Sequence, residues 1–103
     1  MIIEQGDILR IEHIQMPVLI VSKNFFNQND QVICCPIINN NYQADALHIP
    51  IKNNEVKGVV LCEQLKFIDL RVRGYKKIGF LDLSDIIEIT DAIQSIFDYF
   101  SYQ

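Results

Sequence analysis

The hydrophobic period of this chain changes once, at Asp82, and that change limits the architectures open to it. Before Asp82 the apolar residues alternate with polar ones or gather in short runs, which is the spacing of strands. After it they recur at Ile86, Ile89, Ile93, Ile96, Phe97 and Phe100, which is helical spacing. The strand-like segments are Asp7–Ile14, Val18–Val21, Val32–Ile37, Leu47–Ile51, Lys57–Cys62 and Lys77–Leu81. Turn formers separate them: Gly6-Asp7, Asn24–Asp30 (in which Phe25 or Phe26 is expected to fold back onto the core), Ile38–Asn41 and Asn53-Asn54. Pro17 suits the first residue of a strand, and Pro36 is expected to close the third one. Asp82 or Ser84 offers the helix an N-cap, with acids in its first turns. The fold class is therefore mainly β (α+β): a small, strongly bent sheet or barrel of about six strands carrying one C-terminal helix. With 103 residues the chain forms a single domain, 1–103.

Composition removes several classes of function. Half the residues are hydrophobic and 21% are charged, which argues against disorder. No apolar run approaches the roughly 20 residues that cross a bilayer, and Met1–Glu4 has no signal-peptide character, so no membrane association and a cytoplasmic location are expected. Cys34, Cys35 and Cys62 form no C-x-x-C and have no His nearby, so buried reduced thiols, no metal and no cofactor are expected.

The charge of −4 is unevenly spread. Lys66, Arg71, Arg73, Lys76 and Lys77 fall within a dozen residues, whereas Asp82 to Asp98 holds acids and no cation. Such asymmetry lets a local basic face meet phosphate while an acidic helix points away. Just before the basic cluster, Gly58-Val59-Val60-Leu61-Cys62 reads as a strand buried on both faces and ends at once in Glu63-Gln64. A carboxylate and an amide at the end of a buried strand, beside cations, suit chemistry at a phosphate.

Four pieces of the chain also fall in a recognisable order. They are Gly6-Asp7-Ile8, Pro17-Val18-Leu19-Ile20-Val21-Ser22, Cys35-Pro36-Ile37, and a long pattern carried by Val56, Gly58, Val59, Val60, Gln64, Asp69, Arg73, Lys76, Ile78 and Gly79. In this order they resemble the MazF/PemK family of toxin ribonucleases, and within it the Kid/PemK and ChpB branch. The resemblance implies an SH3-like barrel, a homodimer, a cognate antitoxin peptide as partner and single-stranded RNA as substrate. It implies metal-free cleavage in which the substrate's 2′-hydroxyl is the nucleophile, so that the protein supplies acid–base groups and charge stabilisation. Glu63 holds the place of the family's carboxylate, and His13 lies near where relatives bring a histidine. Arg10, Gln64, Arg73, Lys76 and Asn39 are the candidate RNA contacts.

The chain departs from the family pattern at three places. Met16 and Ile38 stand where relatives carry an Arg and a Thr or Ser, and Leu61 where the Kid branch carries a second Arg. Two functions follow: an endoribonuclease weakened by these losses, or an inactive module that binds an antitoxin-like segment, another protein or RNA.

Overall fold

A computed structural model of the chain describes residues 2–39, 43–52 and 54–97. The turn positions Asn40, Asn41 and Asn53 and the helical positions Asp98 and Phe100 lie outside the described residues. The strands are β1 (Asp7–Ile11), β2 (Val18–Ile20), β3 (Gln31–Ile38), β4 (His48–Pro50), β5 (Val59–Leu61), β6 (Lys66–Asp69) and β7 (Tyr75–Phe80), followed by helix α1 (Leu83–Phe97). All pairs are antiparallel, in the order β4-β5-β3-β2-β1-β7, with β6 also on β3. The two ends of this bent sheet approach each other: Asn54, in the β4–β5 connection, donates from Nδ2 to the Phe80 carbonyl at the end of β7, 2.8 Å away.

The mainly β class with a C-terminal helix holds, with one strand more than the sequence reading expects. That strand is β6, which lies along the first half of β3 from Gln31↔Asp69 to Cys34↔Lys66. Of its four residues Ile68 is buried and Lys66 and Phe67 are exposed, so no alternation marks it. β1 is shorter than expected. It stops at Ile11 because His13 takes a left-handed conformation (φ 67°) in the turn to β2. β3 runs through Pro36 instead of closing there. Pro36 has no N–H to offer, and the next residue resumes the ladder, Ile37 N–H donating to the Pro17 carbonyl at 2.9 Å.

In the 24–30 loop neither phenylalanine turns inward. Phe25 is 71% exposed and Phe26 38% exposed. The inward residue is Asn27, whose amide donates to the Ser22 carbonyl at 3.0 Å and whose position is set by a short 3₁₀ turn, Phe26–Asn29. A buried amide is tolerated there because the surrounding backbone satisfies it.

Strand alternation divides the core into two clusters. Leu9, Ile11, Val18, Ile20, Val32 and Cys34 face one way, capped by Ile68 and Leu70. Ile8, Leu19, Cys35, Ile37, Val60 and Cys62 face the other, under Ile89 of α1. Helix α1 starts where the period changes: the Asp82 carboxylate accepts from Asp85 N–H at 3.1 Å and from the Ser84 hydroxyl at 2.9 Å. Its Ile86, Ile89 and Ile93 face the sheet, whereas Leu83, Ile87 and Phe97 on the outer side are exposed.

The three cysteines are free and buried. Burial pushes the Cys34 and Cys62 thiols up to about 11 and that of Cys35 to about 12. Since the thiolate is the reactive form, all three are expected to resist alkylation in the native protein at neutral pH and to react fully in denaturant. A thiol that reacts at an ordinary rate under native conditions contradicts this placement.

Candidate functional site

Glu63 sits at a kink. β5 and β6 both pair with β3 on the same side, through Ile37↔Val60 and Cys34↔Lys66, and residues 62–65 bridge the two. The bridge is held by Cys62 N–H donating to the Leu47 carbonyl (2.9 Å) and Gln64 N–H to the Leu61 carbonyl (3.1 Å). Val60 and Cys62 point into the cluster under α1, so Leu61 between them points the opposite way. On β4, Ile49 also points under the helix, which puts His48 on Leu61's face, directly opposite it in the register.

This arrangement delivers a histidine to Glu63. His48 Nε2 lies 3.1 Å from Glu63 Oε2, and Nδ1 lies 2.9 Å from Asp45 Oδ2. Asp45 is itself fixed by the backbone, its Oδ1 accepting from the N–H groups of Leu47 (2.9 Å) and His48 (3.0 Å). A local turn thus aims Asp45, Asp45 aims the imidazole, and the imidazole meets Glu63. The His48 side chain is 19% exposed, Glu63 35% and Asp45 56%, so both carboxylates are accessible and the imidazole between them is largely covered. Among the described residues no group of three or more His, Cys, Asp or Glu is placed to hold a metal ion.

The charges reinforce one another. The hydrogen bond to Glu63 raises the pKa of His48; partial burial opposes this, and Asp45 adds to the rise. Partial burial pushes Glu63 up, but the bond from His48, a backbone N–H and the imidazolium charge outweigh it and leave the carboxyl below its usual value. Asp45 is held low first by the Leu47 N–H and, against some desolvation, by His48. Each shift favours the charged form: the two carboxyls are held ionised to lower pH and the imidazole protonated to higher pH than usual.

The other residues singled out from the sequence do not converge on Glu63. His13 lies in the β1–β2 turn, 85% exposed, with Glu12 at 4.0 Å. Its strand is separated from β5 by β2 and β3. The histidine beside Glu63 is His48, from the strand next door, and not His13, which the sequence reading places there. Arg10 falls between Leu9 and Ile11 of the first cluster and so points to the opposite face, where it lines a cleft of about 640 Å³. The same cleft is lined by Met16, Ile38, Asn39, Lys57 and Glu55, which brings two of the three departures together with two cations and an amide. Lys76 is exposed and lies opposite Arg10 in the β1–β7 register. Arg73 is exposed at the entry to β7, and Gln64 is exposed beside Glu63. Two cations of the basic cluster are committed to structure: Arg71 to Asp69 at 2.7 Å and Lys77 to the buried Asp7 at 3.1 Å.

Sequence reasoning missed His48, Asp45 and Lys57. Asp45-x-x-His48 just before a strand was an available signal, but its meaning depends on β4 pairing with β5, which no local pattern reveals.

The architecture, a small bent antiparallel sheet with one C-terminal helix, agrees with comparison with known proteins. Residues 6–97 match the family profile described as "PemK-like, MazF-like toxin of type II toxin-antitoxin system", and the chain belongs to that family. Among solved structures, a chain of MazE-MazF (Form-I) from Deinococcus radiodurans is similar with a TM-score of 0.82 at 17% identity, covering 94% of this chain and 97% of that one. An endoribonuclease in complex with its cognate antitoxin from a mycobacterial species gives 0.79 at 16% identity, covering 92% and 94%. Mycobacterium tuberculosis toxin MazF-mt6 gives 0.71 at 23% identity, covering 91% and 99%. At these identities the likeness is one of fold. No curated protein matches the chain.

Proposed function

We propose that this chain is an endoribonuclease of single-stranded RNA, the toxin of a toxin–antitoxin pair, acting by metal-free transesterification. The observation that carries this reading is the Glu63 carboxylate, held against His48 at an open strand end in a member of the toxin family. Glu63 takes the proton of the 2′-hydroxyl, the resulting oxygen attacks the adjacent phosphorus, and the 5′-oxygen leaves and takes a proton from water. Glu63 then returns its proton to solvent. The products are a 2′,3′-cyclic phosphate and a 5′-hydroxyl.

RNA reaches the carboxylate along the exposed cations. Arg10, Lys76, Lys57 and Asn39 form the phosphate-binding end, with Gln64 and Arg73 as further contacts. On the flat-sheet spacings, Ile38 at the mouth of the cleft and His48 are two strands and two residues apart, roughly 12 Å. A short stretch of RNA spans that distance. Activity is weakened because Met16 and Ile38 bring no donor to the cleft; one lost donor beside a developing charge costs about 10²–10³ in rate.

The antitoxin is a peptide segment, in keeping with the antitoxin complexes of the structural relatives. The protein is a homodimer, since Leu83, Ile87 and Phe97 on α1 and Phe67 and Val72 near β6 leave large apolar side chains uncovered in one copy. It works in the cytoplasm; no helix among the described residues is long and apolar enough to cross a membrane.

The test is direct. Purified protein, expected at 24.0 kDa (twice 12.0 kDa) in light scattering, is incubated with single-stranded RNA in chelator. Cyclic-phosphate ends are expected. A 12.0 kDa species removes the dimer. No cleavage at any pH, with RNA or antitoxin still bound, favours the inactive binding module instead, a reading that the apolar Met16 and Ile38 in the cleft already support.

A further inference from the structure

We propose that His48 is a catalytic residue that supplies the fixed positive charge beside the reacting phosphate, and that Asp45 is its positioning residue. This deepens the endoribonuclease reading and rests on it. On Glu63's side of the sheet β5 offers only Val59 and Leu61, both apolar and buried, and β3 offers Ile38. Arg10 lines the cleft at the Ile38 end, on β1, which β2 and β3 separate from β5. A phosphate brought to Glu63 therefore meets a carboxylate, which repels it, unless a cation stands alongside. His48 is that cation, placed not on β5 but on β4, directly across from Leu61.

Three features suit it to the role. Its ring is held at both nitrogens, so its direction is set before substrate arrives. Its Nε2–H points at Glu63, so it stands within reach of any phosphate oxygen that Glu63 serves. Both of its partners are carboxylates, which favour the charged ring and make it a reluctant proton donor. A ring that gives up its proton unwillingly is better suited to hold charge than to deliver a proton to the departing oxygen.

Among the described residues, Glu63, from the end of β5, and Asp45, from the turn before β4, act on the ring as charged groups. The neighbouring Cys62 thiol, pushed up to about 11, stays neutral through the relevant range. Substituting a histidine for a permanent cation leaves a signature. The imidazolium is present below its own pKa, which is raised from the ordinary 6.5, and is lost as pH rises through that raised value. Cleavage should therefore fall on the alkaline side along the titration of one imidazole.

The decisive set is wild type, His48→Gln, His48→Arg and Asp45→Asn, each checked for folding by circular dichroism. Cleavage is read from pH 5 to 9 (about the window in which a histidine titrates), and His48 is followed by proton NMR after assignment with His13→Gln. His48→Gln should lose about 10²-fold at neutral pH. His48→Arg should cleave within about tenfold of wild type and lose the alkaline fall, since a guanidinium does not titrate there. Asp45→Asn should move both the NMR midpoint and the alkaline fall to lower pH together. If His48→Arg is as impaired as His48→Gln, or keeps the alkaline fall, the charge role is overturned.

If the wild type cleaves nothing, the endoribonuclease reading fails, and an uncleavable 2′-deoxy oligonucleotide decides the charge role separately. Its affinity should weaken as pH rises through the NMR midpoint in wild type and not in His48→Arg. An affinity indifferent to that titration overturns the role of His48.

Discussion

Glu63→Gln is expected to reduce RNA cleavage by about 10²–10⁴-fold, the range for removing a positioned general base. The substitution keeps the shape of the side chain and an oxygen to accept from His48 Nε2–H, 3.1 Å away. It removes the capacity to take a proton. Because Glu63 is exposed and the glutamine keeps its shape, folding stability should change by no more than about 0.5 kcal/mol. Product formation by the two proteins under identical conditions, with matched thermal melts, separates these effects. Rapid cleavage that is unchanged in Glu63→Gln would place the active site elsewhere, most naturally in the cleft lined by Arg10, Lys57 and Asn39.

The same residue fixes the acid side of the pH profile. The pKa of Glu63 is depressed in the folded protein, so the ionised base persists above that depressed value and is lost as pH falls through it. The acid limb should therefore lie below the ordinary value for a glutamate. Together with the alkaline limb set by the raised pKa of His48, this widens the plateau on both sides relative to an unpaired Glu and His, and it is bounded by two groups that hydrogen-bond to each other. The limbs belong to the pair, so a change at either residue should move both.

Much of the fold was legible because the period of burial is a local property. The switch at Asp82 located α1, and the run from Gly58 to Cys62 located β5, since both depend on residues close in sequence. β6 was not legible. It earns its place through pairing with β3, and its exposed Lys66 and Phe67 erase the alternation that would have announced it. The site divides in the same way. Glu63 stood out at the end of a buried strand, but its partner was sought along the chain at His13 and lies across the sheet at His48. A hydrogen bond between residues 15 apart depends on register, and register is set by the whole sheet. Lys57 was overlooked for a related reason: only the bend of the sheet brings it to the cleft that also holds Arg10 and Met16.

Gly58→Ala is expected to destabilise the protein by about 3 kcal/mol or more, a large share of the stability of a small domain. Gly58 has φ of +144°, a conformation that a side chain strains by about 1–3 kcal/mol. There is also no room: a Cβ there would lie 2.7 Å from Ile37 Cγ2 and 2.9 Å from the Ile38 carbonyl oxygen. The second contact is with backbone, so no rotamer change relieves it. The neighbouring backbone is also engaged, because the Gly58 carbonyl accepts from Ile51 N–H at 2.8 Å. Relief therefore requires moving β5 away from β3 at Ile38↔Val59, and β5 carries Leu61, the kink and Glu63. Gly74→Ala is the matched control. Its added Cβ would meet nothing nearer than Glu12 Oε2 at 3.5 Å, an ordinary contact, so its effect should stay within about 0.5 kcal/mol. In thermal melts Gly58→Ala should fall by about 12 °C or more, at 4–8 °C per kcal/mol for a domain of this size, while Gly74→Ala stays near wild type. Equal melting of all three proteins would mean that β5 is not seated on β3 as described, and with it the placement of Glu63 beside His48 would fall.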